Sequence, residues 1–125
     1  MILLLDAHVV LWAVSDPARL AATARGAIES PQNDVVVSAS SIWELEIKRA
    51  LGRLRIEVEL LEELEGVGFD VLAVTAADAT TAARLPLNHR DPFDRMLIAQ
   101  AQRLGAIVVT RDRAFSAYEV EVLPA

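Results

Sequence analysis

Residues 91–112 read DPFDRMLIAQAQRLGAIVVTRD. The spacing of the apolar residues predicts a helix over Pro92–Leu104, with Asp91 as its N-cap, proline at its first position and Gly105 as a left-handed C-cap. The β-branched run 106–109 follows at once and predicts a strand. A helix that leads directly into a buried strand is typical of crossover units, so this stretch indicates a parallel sheet.

The rest of the chain continues this alternation of strands and helices. Apolar runs predict four further strands at residues 1–5, 34–37, 69–74 and 120–123. Helical patterns, bounded by caps, prolines and glycines, predict five further helices at residues 7–14, 18–29, 41–51, 57–65 and 76–84. We therefore expect an α/β fold in one domain over residues 1–125, with a mostly parallel central sheet of about five strands and helices on both faces.

Length and composition fit a folded domain. A chain of 125 residues can bury a core without disulfides or a structural metal, and 54% hydrophobic residues argue against disorder. The absence of cysteine excludes thiolate zinc sites and cysteine nucleophiles. The apolar start is interrupted by Asp6 and His8 and lacks a basic leader. We therefore expect no membrane span, no signal peptide and a cytoplasmic location.

The net charge of −6 at first argues against a nucleic-acid partner. Residues 57–65, however, carry five glutamates and no basic residue, so the other residues together come to only −1. The basic residues are 11 arginines and one lysine. Codon bias in a GC-rich genome accounts for that ratio, yet the guanidinium fork suits phosphate oxygens. The acidity is thus local, and an arginine-bearing surface remains for an anionic partner.

Carboxylates follow the predicted strands at several points. Asp6 comes directly after the first strand, and Asp112 follows Thr110 and Arg111 after the strand 106–109. Glu44 lies on the helix after the second strand, while Asp91 and Asp94 open the helix quoted above. In a parallel sheet the ligand crevice lies beyond the carboxyl ends of the strands, so these acids can converge there. Converging carboxylates repel one another unless a cation intervenes, and Mg²⁺ or Mn²⁺ prefers such oxygen ligands.

Each acid also has a purely structural interpretation. Ser41 and Glu44 have capping-box spacing, and Asp91 and Asp94 suit a helix N-terminus. Asp112 could cap the turn that follows it. Asp6 is harder to explain in this way, because an unpaired carboxylate at the end of a central strand is costly to bury.

Four segments together carry a family resemblance: LDAH at residues 5–8, SIWELEIK at 41–48, HRDPFDRMLIAQA at 89–101 and VTRD at 109–112. Their order and spacing resemble the PIN-domain family over essentially the whole chain, and in particular the VapC toxins of type II toxin–antitoxin systems. The third segment is the most specific. The chain departs from the common family pattern at Ala7, where members often carry Ser or Thr, so hydroxyl support for a metal or its water is missing there.

The resemblance implies a Rossmann-like, Mg²⁺- or Mn²⁺-dependent endoribonuclease that forms a homodimer and is inhibited by a VapB-type antitoxin. It implies catalytic and metal-binding roles for Asp6, Glu44, Asp94 and Asp112, with Asp91 and Thr110 in support. The substrate would be tRNA or rRNA, hydrolysed by a metal-activated water.

Several basic and aromatic residues lie near the implied site. The candidates for contact with RNA phosphate are Lys48, Arg49, Arg90, Arg95 and Arg111. For Lys48, pairing with Glu44 one helical turn away is an equal alternative. We expect Trp12, Trp43 and Phe93 to be core or dimer residues, and His8 to be packed in the first helix. His89 adjoins Arg90 and Asp91 and has no assigned role.

Two other functions remain in view. A receiver-type phosphoacceptor domain also gathers acids beyond a parallel sheet, but receivers resemble one another in an acidic pair and a late lysine, whereas here Asp6 stands alone and Lys48 is the only lysine. A degenerate PIN-fold module would keep the fold and the partner without catalysis. The presence of all four acids argues against this second alternative.

Overall fold

The computed structural model describes all 125 residues. The five strands, β1 to β5, span Ile2–Leu5, Asp34–Ser38, Asp70–Leu72, Ile107–Thr110 and Glu121–Pro124. The six α-helices, α1 to α6, span Ala7–Ser15, Ala22–Glu29, Ala39–Ala50, Leu60–Gly66, Ala76–Arg84 and Pro92–Leu104. Two short 3-10 helices lie at Pro17–Arg19 and Arg113–Ala117. No helix is both long and apolar enough to cross a membrane.

The strands form one sheet in the order β3-β2-β1-β4-β5, and all neighbouring strands are parallel. The predicted α/β fold is therefore confirmed. In the central strand, Leu5 is level with Val37 of β2 and Val109 of β4. The residues that follow these strands consequently emerge at the same edge, and the strand order reverses between β1 and β4, where the crevice of such a sheet lies.

Helices cover both faces of the sheet, as predicted. On one face, Leu3 and Leu5 belong to a buried cluster with residues of α1 to α4, including Val9 and Leu45. On the other face, Leu4 packs with Leu97 and Ile98 of α6. The alternation follows from the period of two along a strand, and β1 is apolar on both sides because both of its faces are covered.

Three predicted elements differ from the observed ones. The helix expected at 18–29 is interrupted, because Leu20 is extended and buried and the Ala21 amide donates to the carbonyl of Ala125 at 2.7 Å. The acidic helix expected at 57–65 begins only at Leu60. The third strand is limited to Asp70–Leu72, and Gly68, rather than Gly66, takes the left-handed conformation before it.

Candidate active site

Asp6 lies at the carboxyl end of the central strand and is only 8% exposed. It is the N-cap of α1, where its Oδ1 accepts a hydrogen bond from the Val9 amide at 2.9 Å. Its Oδ2 accepts from the Thr110 hydroxyl. Both carboxylate oxygens are therefore fixed in place by donors, one from its own helix and one from the neighbouring strand.

Thr110 connects Asp6 to Asp112. Its buried hydroxyl also accepts a hydrogen bond from the Asp112 amide at 3.0 Å. Asp112 caps the 3-10 helix through Oδ1, which accepts from the Ala114 amide at 2.9 Å. Its other oxygen lies 3.7 Å from Nε2 of His89. Asp112 thus has the capping role that its sequence position suggested and still presents one oxygen to the site.

Asp91 and Asp94 begin α6 at the same edge. The Oδ1 of Asp91 accepts hydrogen bonds from the amides of Phe93 at 2.8 Å and Asp94 at 3.3 Å, so Asp91 is the predicted N-cap. The pKa of Asp94 is raised to about 6, mainly by burial and also by the negative charges of Asp91 and Glu44, against the opposing hydrogen bond from His89. A raised carboxyl pKa of this kind arises where the group is removed from water and lies beside other negative charges.

Glu44 reaches the site from α3. The capping box suggested for Ser41 and Glu44 does not form, because the helix begins earlier, with Ser38 as its N-cap. The Glu44 carboxylate instead accepts a hydrogen bond from Nζ of Lys48 at 2.9 Å. The side chain of Glu44 is largely buried, which leaves it beside Asp94 rather than in solvent.

His89 belongs to the cluster, although it was not among the predicted site residues. Its Nε2 lies 2.6 Å from Oδ2 of Asp94, and the ligand atoms of His89, Asp94 and Asp112 all lie within 4.8 Å of one another. The His89 amide donates to the Tyr118 hydroxyl at 2.8 Å, which fixes the backbone of the loop. The only sequence signal was its place just before Asp91, because Tyr118 lies far along the chain.

The predicted phosphate contact of Arg95 is wrong. Arg95 is 7% exposed, and its guanidinium faces the loop between α5 and α6. It donates to the main-chain carbonyls of Ala83, Leu85, Pro86 and His89 at 2.7 to 3.3 Å. A guanidinium with this many protein acceptors has a structural role: it holds the loop that carries His89.

The other predicted phosphate contacts differ in whether their charged groups already bind a protein group. Lys48 is paired with Glu44, and Arg49 donates to the carbonyl of Val58 at 2.8 Å. Arg90 and Arg111 are exposed and form no salt bridge with a carboxylate. Among the five predicted cations, these two keep an uncompensated charge for an anionic ligand, although the Arg111 guanidinium also donates to the carbonyl of Arg19.

The aromatic residues and His8 are less buried than expected. Trp43 is 63% exposed and packs edge-on against Phe93, with ring centroids 5.4 Å apart. Together with five neighbours they line an apolar cleft of about 660 Å³ between the first turns of α3 and α6; the five are Ala39, Ser40, Val74, Pro92 and Met96. Trp43 is therefore not a core residue of the single chain. His8 is exposed as well, with its ring centroid 6.0 Å from that of Trp12.

The donor set suits a hard divalent cation. Oxygen donors dominate, since Asp94 and Asp112 approach each other beside His89, Glu44 lies close to Asp94, and Thr110 links Asp6 to Asp112. Burial, together with the charges of Asp91 and Glu44, raises the pKa of Asp94, and a bound cation would favour its ionised form. Mg²⁺ favours such carboxylates, and the imidazole of His89 would be tolerated by Mn²⁺.

Comparison with known proteins identifies the family of this chain. The model of the PIN domain family matches residues 3–121. Ribonuclease VapC22 of Mycobacterium tuberculosis is 34% identical over 113 residues, which cover 88% of this chain and 86% of that protein.

Solved structures of VapBC complexes share the fold. The VapBC2 structure from Rickettsia felis, bound to a promoter DNA fragment, matches with a TM-score of 0.73 at 13% identity, covering 99% of this chain and 98% of that one. DNA-bound VapBC from Salmonella typhimurium matches with a TM-score of 0.69 at 18% identity, over 99% and 98% of the two chains. The resemblance seen in the sequence is thus confirmed: this chain belongs to the PIN domain family and, within it, to the VapC proteins.

Proposed function

We propose that this protein is a Mg²⁺- or Mn²⁺-dependent endoribonuclease and the toxin of a type II toxin–antitoxin pair, acting on tRNA or rRNA in the cytoplasm. The observation that carries the proposal is the group of carboxylates at the crevice of the sheet, where burial, Asp91 and Glu44 raise the pKa of Asp94 and where Asp94 and Asp112 both face His89. The family membership and the name of the M. tuberculosis relative support ribonuclease chemistry.

Asp6, Glu44, Asp94 and Asp112 would hold the cation. The chemistry that a bound divalent cation supplies is neutralisation of charge at the scissile phosphate and a more acidic attacking water. Thr110 fixes the orientation of the Asp6 carboxylate through its hydroxyl.

His89 has a distinct position in this scheme. Its Nε2 lies 2.6 Å from Oδ2 of Asp94, so the imidazole and the carboxyl group share one proton between these two atoms. The ring is kept in place by the loop that Arg95 and Tyr118 fix. A proton shared in this way lowers the repulsion between Asp94 and Asp112 while the site is without its cation.

Cleavage of RNA by the purified protein tests the proposal. The protein, free of antitoxin, is incubated with total RNA and Mg²⁺ or Mn²⁺, with and without EDTA, beside Asp94→Asn and the matched control Asp70→Asn, whose residue is exposed at the start of β3. We expect cation-dependent cleavage by the wild type and the control and none by Asp94→Asn. Cleavage unchanged in Asp94→Asn contradicts the assignment, and a wild type without activity favours the degenerate module.

We also propose a VapB-type antitoxin and a second copy of this chain as partners. The VapBC structures that share the fold support the antitoxin. The exposed apolar cleft around Trp43 and Phe93 supports a homodimer, because a contiguous apolar surface of this kind is costly to leave in water.

Light scattering and sedimentation test the homodimer. The wild type is expected to have twice the chain mass, and Trp43→Glu is expected to be a monomer of unchanged helix content. A wild type that stays monomeric at high concentration overturns the dimer. Co-purification with the product of a neighbouring small gene that encodes a DNA-binding protein tests the antitoxin.

A further inference from the structure

A cationic and aromatic surface lies beside the carboxylates. Trp12, on α1, carries the guanidinium of Arg111 at 4.2 Å from its ring centroid and that of Arg19 at 5.1 Å. The exposed His8 ring lies one helical turn before Trp12. We call His8, Trp12, Arg19 and Arg111 the Trp12 surface.

The Trp12 surface is rigidly connected to the site. Asp6 caps the helix that carries Trp12, and Trp12 lies six positions after Asp6, about 9 Å along the axis. Arg111 lies between Thr110 and Asp112, and its guanidinium donates to the carbonyl of Arg19. The inner side of Trp12 packs against the core, so the indole is a fixed platform.

The charge of this surface is uncompensated. Neither Arg19 nor Arg111 is in a salt bridge, whereas Arg25, Arg49, Arg55 and Arg103 each pair with a carboxylate. Two guanidinium groups held on one indole repel each other, and an anion between them would relieve that repulsion. The surface therefore favours a negatively charged ligand next to a site that is itself acidic.

The chemistry of the surface selects among anionic ligands. Guanidinium forks match phosphate oxygens, and the His8 and Trp12 rings offer faces for an unpaired base. An acidic peptide would pair with the two guanidinium groups but would make no contact with the faces of the aromatic rings. We propose that the Trp12 surface binds the backbone and a base of single-stranded RNA that flanks the scissile phosphate. This inference rests on the proposed ribonuclease function and assigns it a substrate path along α1.

RNA affinity as a function of salt tests this path. A labelled single-stranded oligoribonucleotide is titrated with the full-length Asp94→Asn protein, used to prevent cleavage, and with the same protein carrying Arg19→Ala, Arg111→Ala or both. Arg25→Ala is the control, because it removes the same charge from α2, a helix that ends near the opposite edge of the sheet. If each arginine binds one phosphate, the double variant lowers the slope of log K against log salt by about 1.4. We expect its affinity to fall about tenfold or more at low salt, with little change for Arg25→Ala.

Fluorescence gives a second readout that a merely structural role would not change. On a Trp43→Phe background Trp12 is the only tryptophan, and RNA is expected to quench its emission. If Arg111→Ala fails to fold, as judged by circular dichroism, Arg19→Ala and Arg111→Gln provide the same comparison.

The outcomes separate this inference from the function on which it rests. If the wild type cleaves RNA but the arginine variants bind RNA as tightly as their parent, the Trp12 surface is wrong and the ribonuclease stands. If the variants lose antitoxin binding while RNA binding persists, the surface belongs to a protein partner and the inference is overturned. A wild type that neither binds nor cleaves RNA overturns both.

Discussion

Replacing Asp94 by asparagine should stabilise the protein when no divalent cation is present. Burial is the main reason why the pKa of this carboxylate is raised from 3.8 to about 6, and the negative charges of Asp91 and Glu44 add to the shift. A raised pKa means that the folded state prefers the protonated carboxyl, so the wild type loses stability as the pH rises from about 4 through 6. Asparagine resembles the neutral form and does not incur this loss.

The magnitude follows from the two pKa values. At 1.36 kcal/mol per pH unit, the difference between 3.8 and about 6 corresponds to about 3 kcal/mol at pH 7.5, as an upper bound. The measured gain should lie between about 1 and 3 kcal/mol, because the carboxamide accepts a weaker hydrogen bond from His89 than a carboxylate does. At pH 4 the folded wild type is protonated at Asp94, and the difference should fall below about 1 kcal/mol.

Urea denaturation in EDTA at pH 4, 5.5 and 7.5 measures this effect, with Asp70→Asn as the control. Adding Mg²⁺ at pH 7.5 should then reverse the order, since a ligand that binds only the folded state stabilises the wild type and not the variant. The reasoning is refuted if Asp94→Asn is less stable than the wild type in EDTA at pH 7.5. A gain that is the same at every pH would refute it too.

Four further substitutions test buried polar groups of the fold by urea denaturation. Arg95→Met should cost about 3 to 5 kcal/mol, because it leaves the four carbonyls of the His89 loop without their charged donor. Asp78→Asn should cost about 1 to 2 kcal/mol at pH 7, a value discounted for the partly exposed Arg103 beside it. Because Arg103 lowers the pKa of Asp78 to about 2, that cost should disappear as the pH falls from about 4 through 2. Ser41→Ala should be neutral or stabilising, because the buried Ser41 hydroxyl has no protein partner, whereas Ser40→Ala loses a bond to Ser38 and should cost about 1 kcal/mol.

Local sequence rules predict the sheet and its polar edge. Apolar runs that end in Asp6, Ser38 and Thr110 identify parallel strands, and the register of such strands brings their ends to one edge. The acids could be placed at this edge for the same reason. Capping rules predicted Asp91 correctly, because its partners are the next residues of its own helix.

The remaining features depend on contacts that no local pattern contains. Arg95 and His89 meet in a loop that is fixed by Tyr118, 29 residues beyond His89, and a sequence pattern does not show that a guanidinium will face carbonyls instead of solvent. The helix expected at 18–29 breaks because Ala21 binds the carbonyl of Ala125 at the other end of the chain. Trp43 belongs to an apolar pattern in the sequence, but such a pattern does not show whether the same chain or another chain covers the apolar face.

The departure at Ala7 shows how distant contacts change the interpretation of a site. From the sequence, Ala7 removes a hydroxyl that could support a metal or its water, which raises the question of what orients the neighbouring Asp6. In the structure, Ala7 is buried, and the Asp6 carboxylate is already held by the Val9 amide on one oxygen and by the Thr110 hydroxyl on the other. The support comes from the adjacent strand, 104 residues away, and the same hydroxyl also accepts from the Asp112 amide. One threonine therefore fixes the positions of two acids from different segments, so the substitution at residue 7 leaves the orientation of Asp6 intact.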